Sequence, residues 1–412
     1  MSLKDKNVLI TGISGFVGSR MARRLVDDGA NVYGLVRRRS DGRMPANIRH
    51  LGLGREIHLI EGDLENIASI GKAITASEPD VIFHLAAQSF VPRSFVDPNE
   101  TMRSNCLGTS NLLEAIRLKD ANPRVVFAGS SEEYGLVISS KEQYLRAEER
   151  YSAVFPPAER IPELPISETN PLRPMSPYAV SKVYGDYLMR NYWHSYGIPT
   201  VVSRAFNHEG AGRGIMFVTS VITSQVMQLK LGETDAIRIG NVNAFRDWSH
   251  ADDVIEGYML LAERGRRGDV YNQGSMRTNC VMSYILMSLE EAGYPVSRIE
   301  TVRGGKVVED PTEPEGSPIF GLDFEKTKLD GMMLRGELEF AAEDGGVIAY
   351  SGERKIRIIF DAERFRPAEV PILLSDTKKI KTLGFSTKYT VRDIIKDQLD
   401  YYLSDKERKG SN

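Results

Sequence analysis

Residues 7–18 read NVLITGISGFVG, and this stretch decides the fold. Five mostly apolar residues run straight into Gly12, Gly15 and Gly18, and an amphipathic segment begins inside the glycine series. Strand, glycine turn and helix start in that order form the first βα unit of a dinucleotide-binding sheet. Glycine is needed there so that backbone N–H groups and the helix N-terminus approach a pyrophosphate, whose charge the helix dipole favours. Phe16 and Val17 lie within the same turn and are expected at the same site. A glycine triplet alone is weak, because any tight strand-to-helix turn produces one. Its surroundings strengthen it.

Working outward, 31–36 (NVYGLV), 57–61 (IHLIE), 81–85 (VIFHL) and 124–128 (RVVFA) read as further buried strands. Between them, 16–28, 66–76 and 99–118 space their apolar residues as helices do. The alternation predicts an α/β fold: a Rossmann-type, doubly wound parallel sheet with helices on both faces. A helix over 178–193, entered through PLRPMSP, and a strand over 200–203 complete a domain expected to span 1–205. Within it, 137–165 holds no clean strand and reads as an inserted helical or irregular excursion. Residues 206–404 are expected to form mainly a smaller, mixed α/β substrate-binding lobe, with some segments returning to the first domain. Helices over 215–231, 252–264 and 391–403 belong to this part. Within the extended insertion 303–360, GGVIAYSGERKIRIIFD reads as a strand hairpin running one residue past its end. The charged tail, 405–412, is expected to be disordered.

The bulk composition excludes more than it identifies. The chain has 412 residues, 41% of them hydrophobic and 26% charged, with a net charge of −3. No field of that size draws nucleic acid or an acidic membrane surface. Cys106 and Cys280 are too few for a disulfide framework and fit a reducing cytoplasm, each read as a small buried hydrophobe. The N-terminus enters a strand at once, leaving no room for a signal peptide, and no run of about 18 apolar residues suggests a membrane span. The expectation is a cytoplasmic protein.

Further positions extend the cofactor reading. The second strand ends in Arg37-Arg38-Arg39-Ser40, where an NAD enzyme usually places an acid for the ribose 2′-hydroxyl. Guanidinium groups suit a 2′-phosphate, so NADP is expected in preference to NAD. A solvated basic loop is the alternative. Asp63, with Leu64 next to it, follows the third strand and is placed to accept from an adenine amino group. Leu85, Ala86, Ala87 and Gln88 end the fourth, where small side chains let a dinucleotide lie close.

Tyr178 and Lys182 stand one helical turn apart on one face. The ammonium is expected to stabilise a phenolate and bring the tyrosine, ordinarily of pKa about 10, toward use as a base. The spacing is common by chance. Ser130-Ser131-Glu132-Glu133 changes its weight, because this segment leaves a strand at the carboxyl edge of the sheet, where ligands bind. Ser130 is placed to bond a substrate hydroxyl beside Tyr178. If the segment stays extended, Glu132 shares its side and Glu133 points away into solvent.

These segments resemble the extended short-chain dehydrogenase/reductases acting on sugar nucleotides. More narrowly, GLVRRRS (34–40), AAQSFVPRSF (86–95), GSSEEYG (129–135), SPYAVSK (176–182), RAFNHEGAGRG (204–214), FRDWSHADDV (245–254) and RPAEV (366–370) resemble the GDP-mannose 4,6-dehydratase family. The resemblance implies an enzyme with an internally recycled NADP. Tyr178, with Ser130, would serve oxidation at carbon 4 of the hexose, and Glu132 the loss of water before hydride returns to carbon 6. It places His208 and Arg213 near the cofactor, and Ser89, Asn207, Arg246, Arg366 and Glu369 at the nucleotide sugar. His208 also reads as a structural hydrogen-bonding histidine and Arg246 as a structural ion pair. It further implies a homodimer or homotetramer, through the arginine loop. Threonine is common in the family where this chain has Ser130; the hydroxyl is retained. A 4-epimerase or a UDP-glucuronate-type decarboxylase shares much of the pattern, and a non-catalytic NADP sensor shares the cofactor part alone.

Overall fold

A computed structural model describes residues 3–38, 40, 42–361, 364 and 370–410, with side chains of the last helix as far as Ser404. Arg39, Arg366 and Glu369 lie outside the described residues. The first six strands are β1 (Asn7–Thr11), β2 (Asn31–Val36), β3 (His58–Glu61), β4 (Val81–His84), β5 (Arg124–Ala128) and β6 (Thr200–Ala205). With Val270–Gln273 they form one seven-stranded sheet in the order Val270–Gln273, β6, β5, β4, β1, β2, β3. Every neighbouring pair is parallel.

The apolar runs are continuous because both faces are covered. Val8 and Ile10 of β1 pack with Met21, Leu25 and Val254 on one face, while Leu9 packs with Ile70, Leu112 and Ile116 on the other. The strand order reverses at β1, between β2 and β4, which opens a crevice at the carboxyl ends of the strands.

Three differences from the sequence expectations have local causes. The seventh strand, VYNQ, is half polar, yet Asn272 and Gln273 are fully buried. Asn272 Nδ2 donates to Ile166 O at 2.8 Å and Gln273 Oε1 accepts from Ser203 Oγ at 2.8 Å, so burial is satisfied by bonds rather than apolarity. The helix expected over 99–118 widens by a π-type turn at Arg103–Leu107. There Asn105 reaches inward, accepting from Gln88 N at 2.8 Å and donating to Ser181 Oγ at 2.8 Å. The closing helix runs on through Val391–Gly410. Its DKERK extension holds good helix formers and no breaker before Gly410, so the tail expected to be disordered continues the helix as far as Gly410 among the described residues.

The second sheet has the order Val307–Glu309, Arg298–Thr301, Val347–Ser351, Arg354–Phe360, Ala236–Ile239. Its first three pairings are antiparallel and the last is parallel. The expected hairpin forms, with Gly352 at φ 57° supplying the left-handed residue that its two-residue loop needs. Helices Val218–Lys230, Val281–Glu291 and Val391–Gly410 share one core with this sheet, through Ile222, Ile285, Ile394 and Ile356. Tyr134, Val137, Leu164 and Ile166 join it from the first half of the chain. The 137–165 excursion, with its helix Lys141–Tyr151, is therefore tied down. Glu163 and Arg173 pair at 2.7 Å with both side chains buried, and Glu163 also accepts from Ile138 N at 2.8 Å. Cys280 is buried and Cys106 half-buried, and both are free thiols. Among the described residues no helix is long and apolar enough to cross a membrane.

Candidate active site

The glycine turn is shaped by contact. Gly12 has φ 77°, and a Cβ on it would stand 2.8 Å from the Ala86 backbone. A Cβ on Gly18 would overlap the Gly12 carbonyl oxygen. Gly15 is the N-cap of helix Phe16–Asp27, with no side-chain cap and no acid in the first turn. The orphan N–H groups and the positive end of the helix thus remain for an anion.

This turn opens on a cavity of about 760 Å³ at the carboxyl edge of the sheet. Its lining includes Gly12, Gly15, Phe16, Val17 and Gly18, then Arg37 from the end of β2 and Asp63 and Leu64 beyond β3. Leu85, Ala86, Ala87, Gln88 and Ser89 continue it beyond β4. Arg38 is exposed and takes no part in the lining. The residues fit a nicotinamide dinucleotide: glycine-bared backbone, an uncapped helix end, and a buried Gln88 Oε1 that no group among the described residues satisfies.

Ser130, Glu132, Tyr178, Lys182, Asn207, His208, Arg213 and Arg246 line the same cavity. Ser176 caps helix Pro177–Tyr196, accepting from Ala179 N at 3.1 Å, with proline in the first turn. Tyr178 and Lys182 are both buried on that helix. Lys182 Nζ donates to Ala128 O at 2.7 Å, and burial draws its pKa down to about 8, against the pull of Glu133. Burial also pushes the Tyr178 phenol up to about 12, opposed by the Ser130 hydroxyl, increased by Glu132 and opposed by Arg213. The Lys182 ammonium donates to a carbonyl and also stands 5.8 Å from the Tyr178 ring centroid, with Arg213 a further cation that favours the phenolate.

The segment after β5 is not extended. Ser131–Glu133 form a 3-10 turn capped by Ser130, whose Oγ accepts from Glu132 N at 3.2 Å. At three residues per turn, neighbours no longer alternate between two faces. Glu132 faces the cavity half-buried, and among the described residues no side chain pairs with its carboxylate. Glu133, expected in solvent, is fully buried instead. Its carboxylate accepts from Ser130 N at 2.8 Å and lies 3.3 Å from Arg204 Nε.

On the far wall, His208 Nδ1 lies 2.9 Å from Phe206 O. A carbonyl only accepts, so Nδ1 carries the proton and Nε2 is the acceptor. Burial, then Arg213, lower its pKa to about 4. Arg213 stacks on Phe217, 3.6 Å from the ring centroid, with Glu209 at 3.4 Å. Asn207 Oδ1 is buried and unbonded among the described residues. Arg246 is buried, donating to Phe245 O and Val370 O at 2.8 Å each, at the end of the RPAEV block. Three contributors escaped the sequence reading. Asn105 ties Gln88 to the helix of Tyr178, and a polar residue in an amphipathic helix was its only signal. Phe217 and Tyr258 also line the cavity, and neither stands out from ordinary core aromatics in sequence.

Comparison with known proteins gives the family and the fold. Residues 8–274 match the model of the NAD dependent epimerase/dehydratase family. A GDP-mannose 4,6-dehydratase of Yersinia enterocolitica is 31% identical, aligned over 96% of this chain and 93% of that protein. Another, of Sinorhizobium fredii, is 30% identical over 97% and 98%. Among solved structures, RMD from Pseudomonas aeruginosa complexed with NADPH has a TM-score of 0.66 at 22% identity, covering 97% of this chain and 99% of that one. A Thermotoga maritima UDP-glucose 4-epimerase with UDP-glucose has a TM-score of 0.67 at 20% identity, with the same coverage. These two likenesses are of fold. The chain belongs to the NAD dependent epimerase/dehydratase family, a family of extended short-chain dehydrogenase/reductases.

Proposed function

We propose that this chain is a nucleotide-sugar 4,6-dehydratase that uses NADP and converts GDP-mannose to its 4-keto-6-deoxy product. The observation that carries the reading is the unpaired Glu132 carboxylate in the same cavity as Ser130 and Tyr178. The names of the full-length relatives supply the substrate.

The glycine turn and the uncapped helix would hold the cofactor pyrophosphate, Arg37 a 2′-phosphate, and Lys182 the nicotinamide ribose. When bound, the nicotinamide would supply the hydride acceptor for carbon 4 and a positive charge beside the phenol in its oxidised form, and the hydride donor for carbon 6 in the reduced form so produced. Tyr178 Oη takes the proton of the sugar 4-hydroxyl, with Ser130 Oγ bonded to the same oxygen. The new carbonyl acidifies the proton on carbon 5. Glu132 takes that proton and delivers it to the 6-hydroxyl, which leaves as water; carbon 5 of the resulting alkene takes back the proton that Tyr178 removed from the 4-hydroxyl as carbon 6 is reduced. Asn207, Arg246 and, outside the described residues, Arg366 and Glu369 would hold the nucleotide sugar. The resemblance that suggests this chemistry also suggests a homodimer or homotetramer, and the two unpaired cysteines suit the cytoplasm.

The test is incubation of the protein and NADP with GDP-mannose, reading the 4-keto product by its absorbance in base. Turnover of GDP-mannose with that chromophore is expected. No chromophore, together with epimerisation or decarboxylation of a UDP-sugar, would replace this reading with one of the rival activities.

A further inference from the structure

Behind the Ser130–Glu132 turn, two carboxyl groups, Glu133 and Asp186, are both fully buried. They are not equally provided for. Asp186 Oδ2 accepts from Arg204 Nε at 2.8 Å, and its Oδ1 pairs with Arg190 at 2.6 Å. Glu133 Oε1 accepts from the Ser130 amide at 2.8 Å, but its Oε2 receives no hydrogen bond among the described residues. Arg204 Nε stands 3.3 Å from that oxygen while committed to Asp186.

A buried carboxylate oxygen without a donor is strongly disfavoured as an anion. Two carboxyl groups in contact relieve the conflict by holding one proton between them. With two arginines on Asp186, the proton belongs on Glu133, whose carboxyl converges with that of Asp186 on the one Arg204 Nε, at 3.3 and 2.8 Å. Burial and then the neighbouring Asp186 act in that direction and outweigh Arg204 and the Ser130 amide, which oppose them.

We propose that Glu133 is a positioning residue kept as the neutral acid, which locks Ser130 through its amide and shares a proton with Asp186 behind Tyr178 and Lys182. This rests on the roles given above to Ser130 and Tyr178. The groups facing Glu133 are Asp186, Lys182 and Tyr178 from the helix Pro177–Tyr196, Arg204 from β6, and Tyr134 from its own segment. A negative Glu133 holds the proton on Tyr178 more tightly, so the neutral acid favours a base at that position.

The test compares the full chain with Glu133→Gln and Glu133→Leu. Infrared spectra of the wild type are expected to show a protonated-carboxyl band, absent in both variants and fading as pH rises. An acid with a raised folded-state pKa contributes stability that is full below its unfolded value and lost as pH rises through the folded one. Glutamine does not titrate, so Tm of Glu133→Gln minus that of the wild type should grow with pH. In turnover of GDP-mannose, Glu133→Leu, lacking the Ser130 acceptor, should lose about tenfold or more in kcat. Glu133→Gln should recover most of that loss and shift the alkaline limb of the pH profile. No band attributable to Glu133, a Tm difference flat with pH, or equal impairment in the two variants would overturn the proposal. Band and Tm trend without turnover of GDP-mannose would support the placement of the proton and count against the dehydratase reading instead.

Discussion

The two walls of the cavity are made of different materials. The wall at Gly12–Gly18 is main chain: a turn whose glycines leave no room for Cβ atoms, and a helix end without a cap. The opposite wall is side chains gathered from distant segments, with Arg246 bonded to Val370 124 residues away and Glu132 presented by a short turn. On the proposed reading, the first wall would recognise whatever carries a pyrophosphate and a ribose, and the second would decide which reaction follows. A common sheet can therefore serve several chemistries, with the choice resting on few groups.

The largest break in this contrast should come from one of those groups. Glu132→Gln keeps the size and polarity of the side chain and removes the base. Dehydration is expected to fall by about 10²–10⁴-fold, while NADP binding, followed by nucleotide fluorescence, stays at the wild-type level. Full dehydration in this variant would take Glu132 out of the chemistry and leave the far wall without its defining group.

A break in the main-chain wall should have the opposite signature. Gly18→Ala forces a methyl onto the Gly12 carbonyl oxygen. Overpacking of this kind costs about 1–3 kcal/mol, or roughly 5–150-fold if it falls wholly on cofactor affinity. Calorimetric titration with NADP reads it directly, and turnover at saturating NADP should be the less affected quantity. A loss of kcat with unchanged affinity would mean that the two walls are not separable.

The same difference explains what was legible in the sequence. The turn could be read because its meaning is local: strand, glycines and helix are contiguous, and sterics fix their arrangement. Tyr178 and Lys182 were readable for the same reason, as one helical turn. Glu133 was not, because the residues it is buried with, Arg204 and Asp186, flank it only in three dimensions. The strand Val270–Gln273 was hidden because its buried residues are satisfied by hydrogen bonds and so carry no apolar signature. Asn105 depends on a helix irregularity that no residue type announces.

The smallest effect tests whether the main-chain wall discriminates at all. Arg37 lines the cavity at the end of β2, and Arg38, its neighbour, is exposed outside it. If Arg37 pairs with a 2′-phosphate, Arg37→Ser should weaken NADP by about tenfold at low salt, the scale of one charge-assisted bond, and leave NAD unchanged. Arg37 is itself exposed, so the difference should shrink as salt shortens the Debye length from about 10 Å at 0.1 M toward 3 Å at 1 M. Arg38→Ser should change the NADP to NAD ratio less, having no place in the lining. Equal weakening of both nucleotides by Arg37→Ser would assign that residue to the common ribose or to packing. The preference for NADP would then lose its support in this loop, with the glycine cradle itself unaffected.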